Sequence, residues 1–153
     1  MSQASLKIKL FHLWFRLTRP MTLGVRIIVL NDAKAVLLVK HGYVKGWHLP
    51  GGGVEVGQSG VDTVEAELFE ETGLVCKSPP NLLGVFANKK ASKRDHVLLY
   101  KVDDWQEARA FKPNREIKEI GFFKLDALPS GTTQATKARL EEVFKAKTQS
   151  EIW

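Results

Sequence analysis

A run of three glycines, Gly51-Gly52-Gly53, leads into a segment punctuated at both ends as a helix, and this stretch constrains the fold most. It reads GGGVEVGQSGVDTVEAELFEETGL from Gly51 to Leu74. Ser59 is suited to cap a helix, and Asp62 three residues later suits the positive end of a helix dipole. Gly73 stands where a left-handed residue closes a helix. Ser59–Thr72 is therefore predicted to be helical. On that helix Glu67, Glu70 and Glu71 fall at i, i+3 and i+4, hence on one face. Val61, Val64 and Leu68 form a neighbouring stripe that can pack inward. Three adjacent carboxylates repel unless water or a cation offsets them, and clustered oxygen donors suit Mg²⁺ or Mn²⁺. A solvated acidic helix face fits the spacing alone equally well.

The flanks read as mixed α and β structure. Leu6, Leu10, Leu13, Trp14 and Leu17 recur at helical spacing, with Phe11 and Phe15 widening the face, so residues 5–18 are predicted as an amphipathic helix ended by Pro20. Packing on the domain or on a second subunit, as in a homodimer, is the first expectation for that face; a membrane-surface helix is the second, because its polar positions are basic. Leu23–Leu30 and Ala35–Val39 flank the turn-like Asn31–Lys34 and are predicted to form a β-hairpin. Leu82–Ala87, His96–Val102 and Ile120–Leu125 read as strands, 103–117 as a loop, and Thr132–Lys147 as a second amphipathic helix. No stretch is apolar enough to span a bilayer. The single cysteine, Cys76, reads as structural and fits a reducing compartment, the cytoplasm. The formal charge of +6 over 153 residues favours anionic partners without choosing among nucleotides, nucleic acid and an acidic membrane.

The segment resembles the Nudix box, G-x5-E-x7-R-E-U-x-E-E-x-G-U, where U is a bulky aliphatic residue. Gly52, Glu67, Leu68, Glu70, Glu71, Gly73 and Leu74 stand at matching positions, preceded by Trp47-x-Leu49-Pro50-Gly51-Gly52. Two positions depart from the pattern. Gln58 replaces a glutamate, and Ala66 replaces the arginine that buttresses the acidic cluster. Glu116 through Phe123, with Leu128-Pro129, resembles the family's late strand.

The resemblance implies an α/β fold, an α/β/α sandwich of the Nudix type with a mixed β-sheet. It implies one domain over 1–153, with an N-terminal amphipathic helix in 1–20, the box at 52–74 and a C-terminal helix at 132–147. It also implies metal-dependent attack of water on a diphosphate linkage, in a nucleoside diphosphate joined to another group. By the same resemblance Gly51 (through its carbonyl), Glu67, Glu70 and Glu71 are candidate ligands for Mg²⁺ or Mn²⁺. Glu67, Glu70 and Glu116 are candidate catalytic residues, with Glu119 and Glu107 behind Glu116. Lys89 and Arg94, with Lys90 and Lys93, are candidates to contact the phosphates of a small nucleotide substrate. Phe86, Tyr43 and Trp105 could stack on a base, and His48 and His96 could line a pocket. Gln58 and Ala66 leave open a weakly active Nudix domain that binds nucleotides or regulates. Charge leaves open an RNA-associated protein, though no standard nucleic-acid-binding motif accompanies it.

Overall fold

The computed structural model describes residues 6–153, with side chains from Lys7 onward. The predicted helical residue 5 and the start of the 1–20 segment lie outside the described residues. Helix α1 spans Leu6–Thr18 and is followed by strand β1, Thr22–Val29. Strands β2 (Val36–His41) and β3 (Trp47–His48) precede helix α2 (Gly60–Thr72). Strands β4 (Leu74–Cys76), β5 (Asn81–Ala87), β6 (Asp95–Val102), β7 (Trp105–Glu107) and β8 (Ile117–Phe123) follow, then helix α3 (Gln134–Phe144).

The strands fall into small sheets rather than the predicted hairpin. β1 pairs in parallel with β6, which pairs antiparallel with β5. β2 lies between β3 and β8 in a second, antiparallel sheet. Of a β1–β2 hairpin the turn remains, with the Asn31 N–H donating to the Ala35 carbonyl, but pairing stops at the bridge between Leu30 and Val36. The physical reason is burial. β1 and β2 are both apolar on two sides, and each covers more surface by sharing a core between sheets than by closing locally on its partner. The predicted loop 103–117 contains β7, a short strand that pairs with β4. The late strand begins at Ile117 and ends at Phe123, and the last helix is shorter than its apolar pattern suggested: Thr133 caps its start, and it stops at Phe144 with Lys145 as its C-cap and Ala146 at φ 50°.

Alternation along β1 builds an α/β/α sandwich. Val25, Ile27 and Val29 pack with Val64 and Leu68 of α2, together with Leu37, Tyr100 and Val102. Ile28 joins the opposite cluster, where Leu140 of α3 meets Val36, Leu38, Leu49, Phe86 and Leu99. Helix α2 is fastened at both ends. The Ser59 hydroxyl accepts the Asp62 N–H at 3.1 Å, and the Asp62 carboxylate accepts the Ser59 N–H at 2.8 Å, a full capping box. At the other end Gly73 adopts φ 79° and donates its N–H to the Phe69 carbonyl. Helix α1, by contrast, does not pack on the domain: residues 7–18 are exposed except the half-buried Phe15.

Leu68 is fully buried on the stripe of α2 that adjoins the face carrying Glu67 and Glu71. Leu68→Ala should destabilise the protein by about 2–5 kcal/mol, read from urea unfolding; a loss below about 1 kcal/mol would mean that α2 is not held by this core.

Candidate active site

The glycine run approaches the rest of the chain too closely for side chains. Gly51 adopts φ 141°, and a β-carbon there would strike the Val25 carbonyl oxygen. A β-carbon on Gly52 would strike the Glu67 carboxylate. The loop also bonds to β1 through Val25 N–H to Gly52 O and Ile27 N–H to Pro50 O, at 2.8 and 2.9 Å. The backbone of Gly51 and Gly52 is thereby pressed between β1 and the acidic face of α2.

Glu71 is the anchor of that contact. Its side chain is buried, and its Oε2 accepts the Gly51 N–H at 2.9 Å. Burial pushes its pKa up to about 8; the Gly51 hydrogen bond and Arg26 oppose this, while Glu67 and Glu116 add to it. The His41 Nε2 lies 3.8 Å from Glu71 Oε1. That distance would suit an ion pair, but burial, with help from Arg26 and His48, drives His41 down to about 4. Between those two values both groups are neutral, so the contact is a packed polar pair and not a salt bridge.

Glu67 is half-buried, and its pKa is raised first by burial, then by Glu70 and Glu116, with Arg26 opposing. It lines a cleft of about 430 Å³ with Gly51, Gly52, Arg26, Tyr43, Glu116 and Trp153. A slightly larger cleft, about 470 Å³, lies against α3 and contains none of the box residues. Glu116 thus joins the site from the loop before β8. Glu70 is exposed and faces a neighbouring cleft with Gly73 and Arg109. Glu119 is paired with Lys40 on the surface at 3.0 Å, and Glu107 lies in β7 opposite Leu74. Lys89, Lys90, Lys93 and Arg94 are exposed; none of them lines the cleft, although Asn88 and Asp95 at the two ends of their loop do. Phe86 is fully buried, and Trp105 stacks on Phe122 while donating to the Leu30 carbonyl, so neither faces the cleft. Burial also raises the Cys76 thiol, in keeping with a structural role.

Arg26 was not singled out in the sequence, although a lone arginine inside the apolar run Val25–Val29 is an unusual residue for a strand covered on both sides. Its guanidinium donates to the Gly51 carbonyl oxygen. It therefore sets a positive charge beside Glu67 and Glu71, the carboxylates left without the box arginine at Ala66. Arg109 serves the far end of α2: it lies 4.7 Å over the Phe69 ring and donates to the Phe69 carbonyl at 3.3 Å. Trp153 was also missed. It packs edge-on against Phe86, and Arg139 stacks on Phe86 and bonds the Ile152 carbonyl at 2.7 Å. The departure at Gln58 is locally harmless. Its Oε1 accepts from Glu55 N–H and the Thr63 hydroxyl, and a glutamate oxygen could accept the same two bonds.

A model of the NUDIX domain matches residues 20–144. The chain belongs to the Nudix family. It is 34% identical over 117 residues to the ADP-ribose pyrophosphatase of Methanocaldococcus jannaschii, covering 75% of this chain and 69% of that protein. It is 37% identical over 76 residues to a Bacillus subtilis protein named "Putative 8-oxo-dGTP diphosphatase", and that match spans half of each protein's length. Among solved structures, the MutT NUDIX hydrolase of Burkholderia pseudomallei superposes with a TM-score of 0.67 at 27% identity, covering 80% of this chain and 97% of that one. The α/β/α sandwich is thus the Nudix fold, and the cleft lined by Gly51, Gly52 and Glu67 is built around its box.

Whether a divalent cation fits can be judged from the donors. Glu67, Glu71 and the Gly51 carbonyl supply hard oxygens, and the Arg26 guanidinium already lies against that carbonyl as a cationic stand-in. Among the described residues no three acidic, histidine or cysteine side chains close into a cage of their own. Such an arrangement suits Mg²⁺, which is held by one or two carboxylates and completes its shell with water and substrate phosphate.

Two outcomes follow for this site. Glu71 has a folded pKa of about 8 against an ordinary 4.5, so its contribution to stability is complete below 4.5 and lost as pH rises through 8. His41 acts oppositely, its contribution being complete above 6.5 and lost as pH falls through about 4. Between 6.5 and 8 the His41 contribution is already complete while that of Glu71 is being lost, so the chain in chelator should lose thermal stability over that window, and Glu71→Gln should reduce the slope; parallel melting curves for the two proteins would refute the burial account. Gln58→Glu should change stability by no more than roughly 0.5 kcal/mol, whereas a larger loss in the same melts would show that the amide nitrogen holds the turn.

Proposed function

We propose that this Nudix chain is a metal-dependent pyrophosphohydrolase that cleaves the diphosphate linkage of a nucleoside diphosphate joined to another group. The observation that carries this reading is the convergence of Glu67, Gly51 and Glu116 on one cleft with a single arginine, backed by the buried Glu71 that holds the Gly51 N–H. Glu67, Glu70, Glu71 and the Gly51 carbonyl would hold Mg²⁺ or Mn²⁺. When bound, that ion supplies charge neutralisation for the phosphates and acidifies the attacking water.

The chain's own groups do the rest. Glu67 takes the proton of the attacking water; its raised pKa makes it a stronger base than a solvated carboxylate. Glu116, which lines the same cleft, is the second candidate for that proton. The Glu71 bond to Gly51 holds the glycine backbone against the cleft, and Arg26 offsets the carboxylate charge that Ala66 leaves uncompensated. Lys89 and Arg94 would reach phosphate if the 89–94 loop bends over the cleft mouth. Tyr43 and Trp153 line that cleft and are the aromatic faces open to a base, so they replace Phe86 and Trp105 as stacking candidates. Because Arg26 restores a cation at the site, the reading of an active enzyme is preferred to that of a nucleotide-binding regulator. No helix among the described residues is long and apolar enough to cross a membrane. The lone half-buried thiol supports a reducing cytoplasm as the working compartment.

The test is a product-release assay with Mg²⁺ and Mn²⁺ over ADP-ribose, dinucleoside polyphosphates, nucleoside triphosphates and capped RNA. Turnover should appear on at least one, and Glu67→Gln should lower kcat by roughly 10²–10⁴-fold without lowering the melting temperature, since it removes a half-buried charge. Unchanged kcat in Glu67→Gln would remove Glu67 as the base. Nucleotide binding without turnover on any substrate would turn the reading to the regulator.

A further inference from the structure

Helix α1 leaves a large apolar surface without a partner. Leu10, Phe11, Leu13, Trp14 and Leu17 are 50–72% exposed. The helix has 13 residues, a length at which an isolated helix is marginal in water, so its stability calls for an apolar surface to lie on. Its aromatic rings are already ordered among themselves, with Phe11 edge-on to Phe15 at 4.4 Å and the Arg19 guanidinium 4.7 Å over Phe15.

Charge identifies the surface. Five of the chain's 23 basic residues and none of its 17 acidic ones precede Asp32, so this stretch carries nearly all of the formal charge of +6. On a helical projection Lys9, His12 and Arg16 form a narrow strip, and Lys7 lies on the other side of the leucine stripe. The remainder is leucine, isoleucine and aromatic. A second basic element adjoins the helix exit. The Thr22 N–H donates to the Arg94 carbonyl at 3.0 Å, and the Thr22 hydroxyl donates to Asp95 at 2.7 Å. The loop bearing the exposed Lys89, Lys90, Lys93 and Arg94 is therefore tied to the residues that follow α1. Asp95, the acid nearest this group, is also taken up by the Asn88 amide at 2.8 Å. Among the described residues none of Lys7, Lys9, Arg16, Arg19 or the four loop cations is paired with a carboxylate.

We infer that α1, together with the basic 89–94 loop, docks the protein on an anionic lipid bilayer surface. A second copy is the poorer occupant, because pairing two such helices sets basic residues against basic residues and offers no carboxylate in return. A bilayer of anionic lipids supplies both requirements: an acyl boundary for Leu10, Leu13, Trp14 and Leu17, and negative headgroups for the flanking lysines and arginines. The helix lies in the plane of the surface and does not cross it. The α1 face is independent of the hydrolase reading, which shares with this surface only the loop cations Lys89 and Arg94, so the helix variants test docking separately from it.

The test uses the full chain with sedimenting vesicles of phosphatidylcholine alone or mixed with phosphatidylserine. Binding should occur to the mixed vesicles, weaken with added salt, and be negligible on phosphatidylcholine. Each basic residue removed among Lys7, Lys9 and Arg16 should reduce partitioning about fivefold, the equivalent of ~1 kcal/mol per cation near such a surface. Leu13→Ser with Leu17→Ser should also abolish sedimentation with every charge retained. Replacing the four loop cations by serine should weaken it without touching the helix. Melting curves of the variants should match the parent, since α1 is exposed. Absence of sedimentation, or equal sedimentation of parent and a Lys7→Glu, Lys9→Glu, Arg16→Glu variant, overturns the proposal. So does a parent of twice the monomer mass that becomes monomeric when residues 1–18 are removed and binds no vesicle, because the occupant is then a second copy.

Discussion

The hydrogen bond from the Gly51 N–H to the buried Glu71 carboxyl is the contact on which the site depends. It joins two elements that would otherwise meet only through van der Waals contact: the glycine run, and a helix packed on the sheet by Val64 and Leu68. Without it a carboxyl would be buried facing a backbone amide that also lacked a partner, and each unsatisfied group is expensive in an apolar interior. With it, the face of α2 is locked in rotation. Glu67 is then presented to the cleft next to Gly52, and the acidic pattern becomes a placed set of oxygens.

That locking creates an electrostatic problem which the helix itself does not solve. Burial raises the pKa values of Glu67 and Glu71 most; Glu70 and Glu116 raise Glu67 further, and Glu67 and Glu116 raise Glu71 further. A pattern-perfect box would place an arginine at position 66; here the position holds alanine. The compensating charge comes from β1 across the cleft. A guanidinium anchored on a strand is fixed by the sheet, and its planar fork reaches the Gly51 carbonyl while its charge remains close to the carboxylates. The loss of the box arginine therefore does not leave the acidic cluster bare. It moves the countercharge from the helix that carries the acids to the wall that faces them.

The helix, its caps and the sharing of one face by the glutamates were readable because each is a local property: Ser59, Asp62 and Gly73 act within one or two turns. Membership of the Nudix family was readable for the same reason, since the box is contiguous. What was not readable was long-range. β1 and β2 have the composition of a hairpin and the turn to join them, yet they pair with β6 and β8, because the choice depends on the surface that each strand buries far along the chain. Arg26 carried a visible signal, a charge within an apolar strand, but its target lies 25 residues away across the fold. Trp153 carried none: its place at the cleft follows from Arg139 and Phe86, which hold the segment after α3. Lys89 and Arg94 were chosen for charge, and charge on an exposed loop does not specify which way the side chains turn.

The same distinction separates the two parts of the molecule. In the sandwich the apolar stripes of β1, α2 and α3 have opposite numbers: β1 alternates between two clusters, α2 covers one and α3 the other. Helix α1 has the same kind of stripe and no opposite number within the described fold. An amphipathic pattern alone therefore predicts that a face will be covered but not by what. For α2 the answer came from the β-branched residues of the sheet; for α1 it comes from charge. Hydrophobicity sets the need for a surface, and the sign of the residues bordering the face selects which surface can meet it.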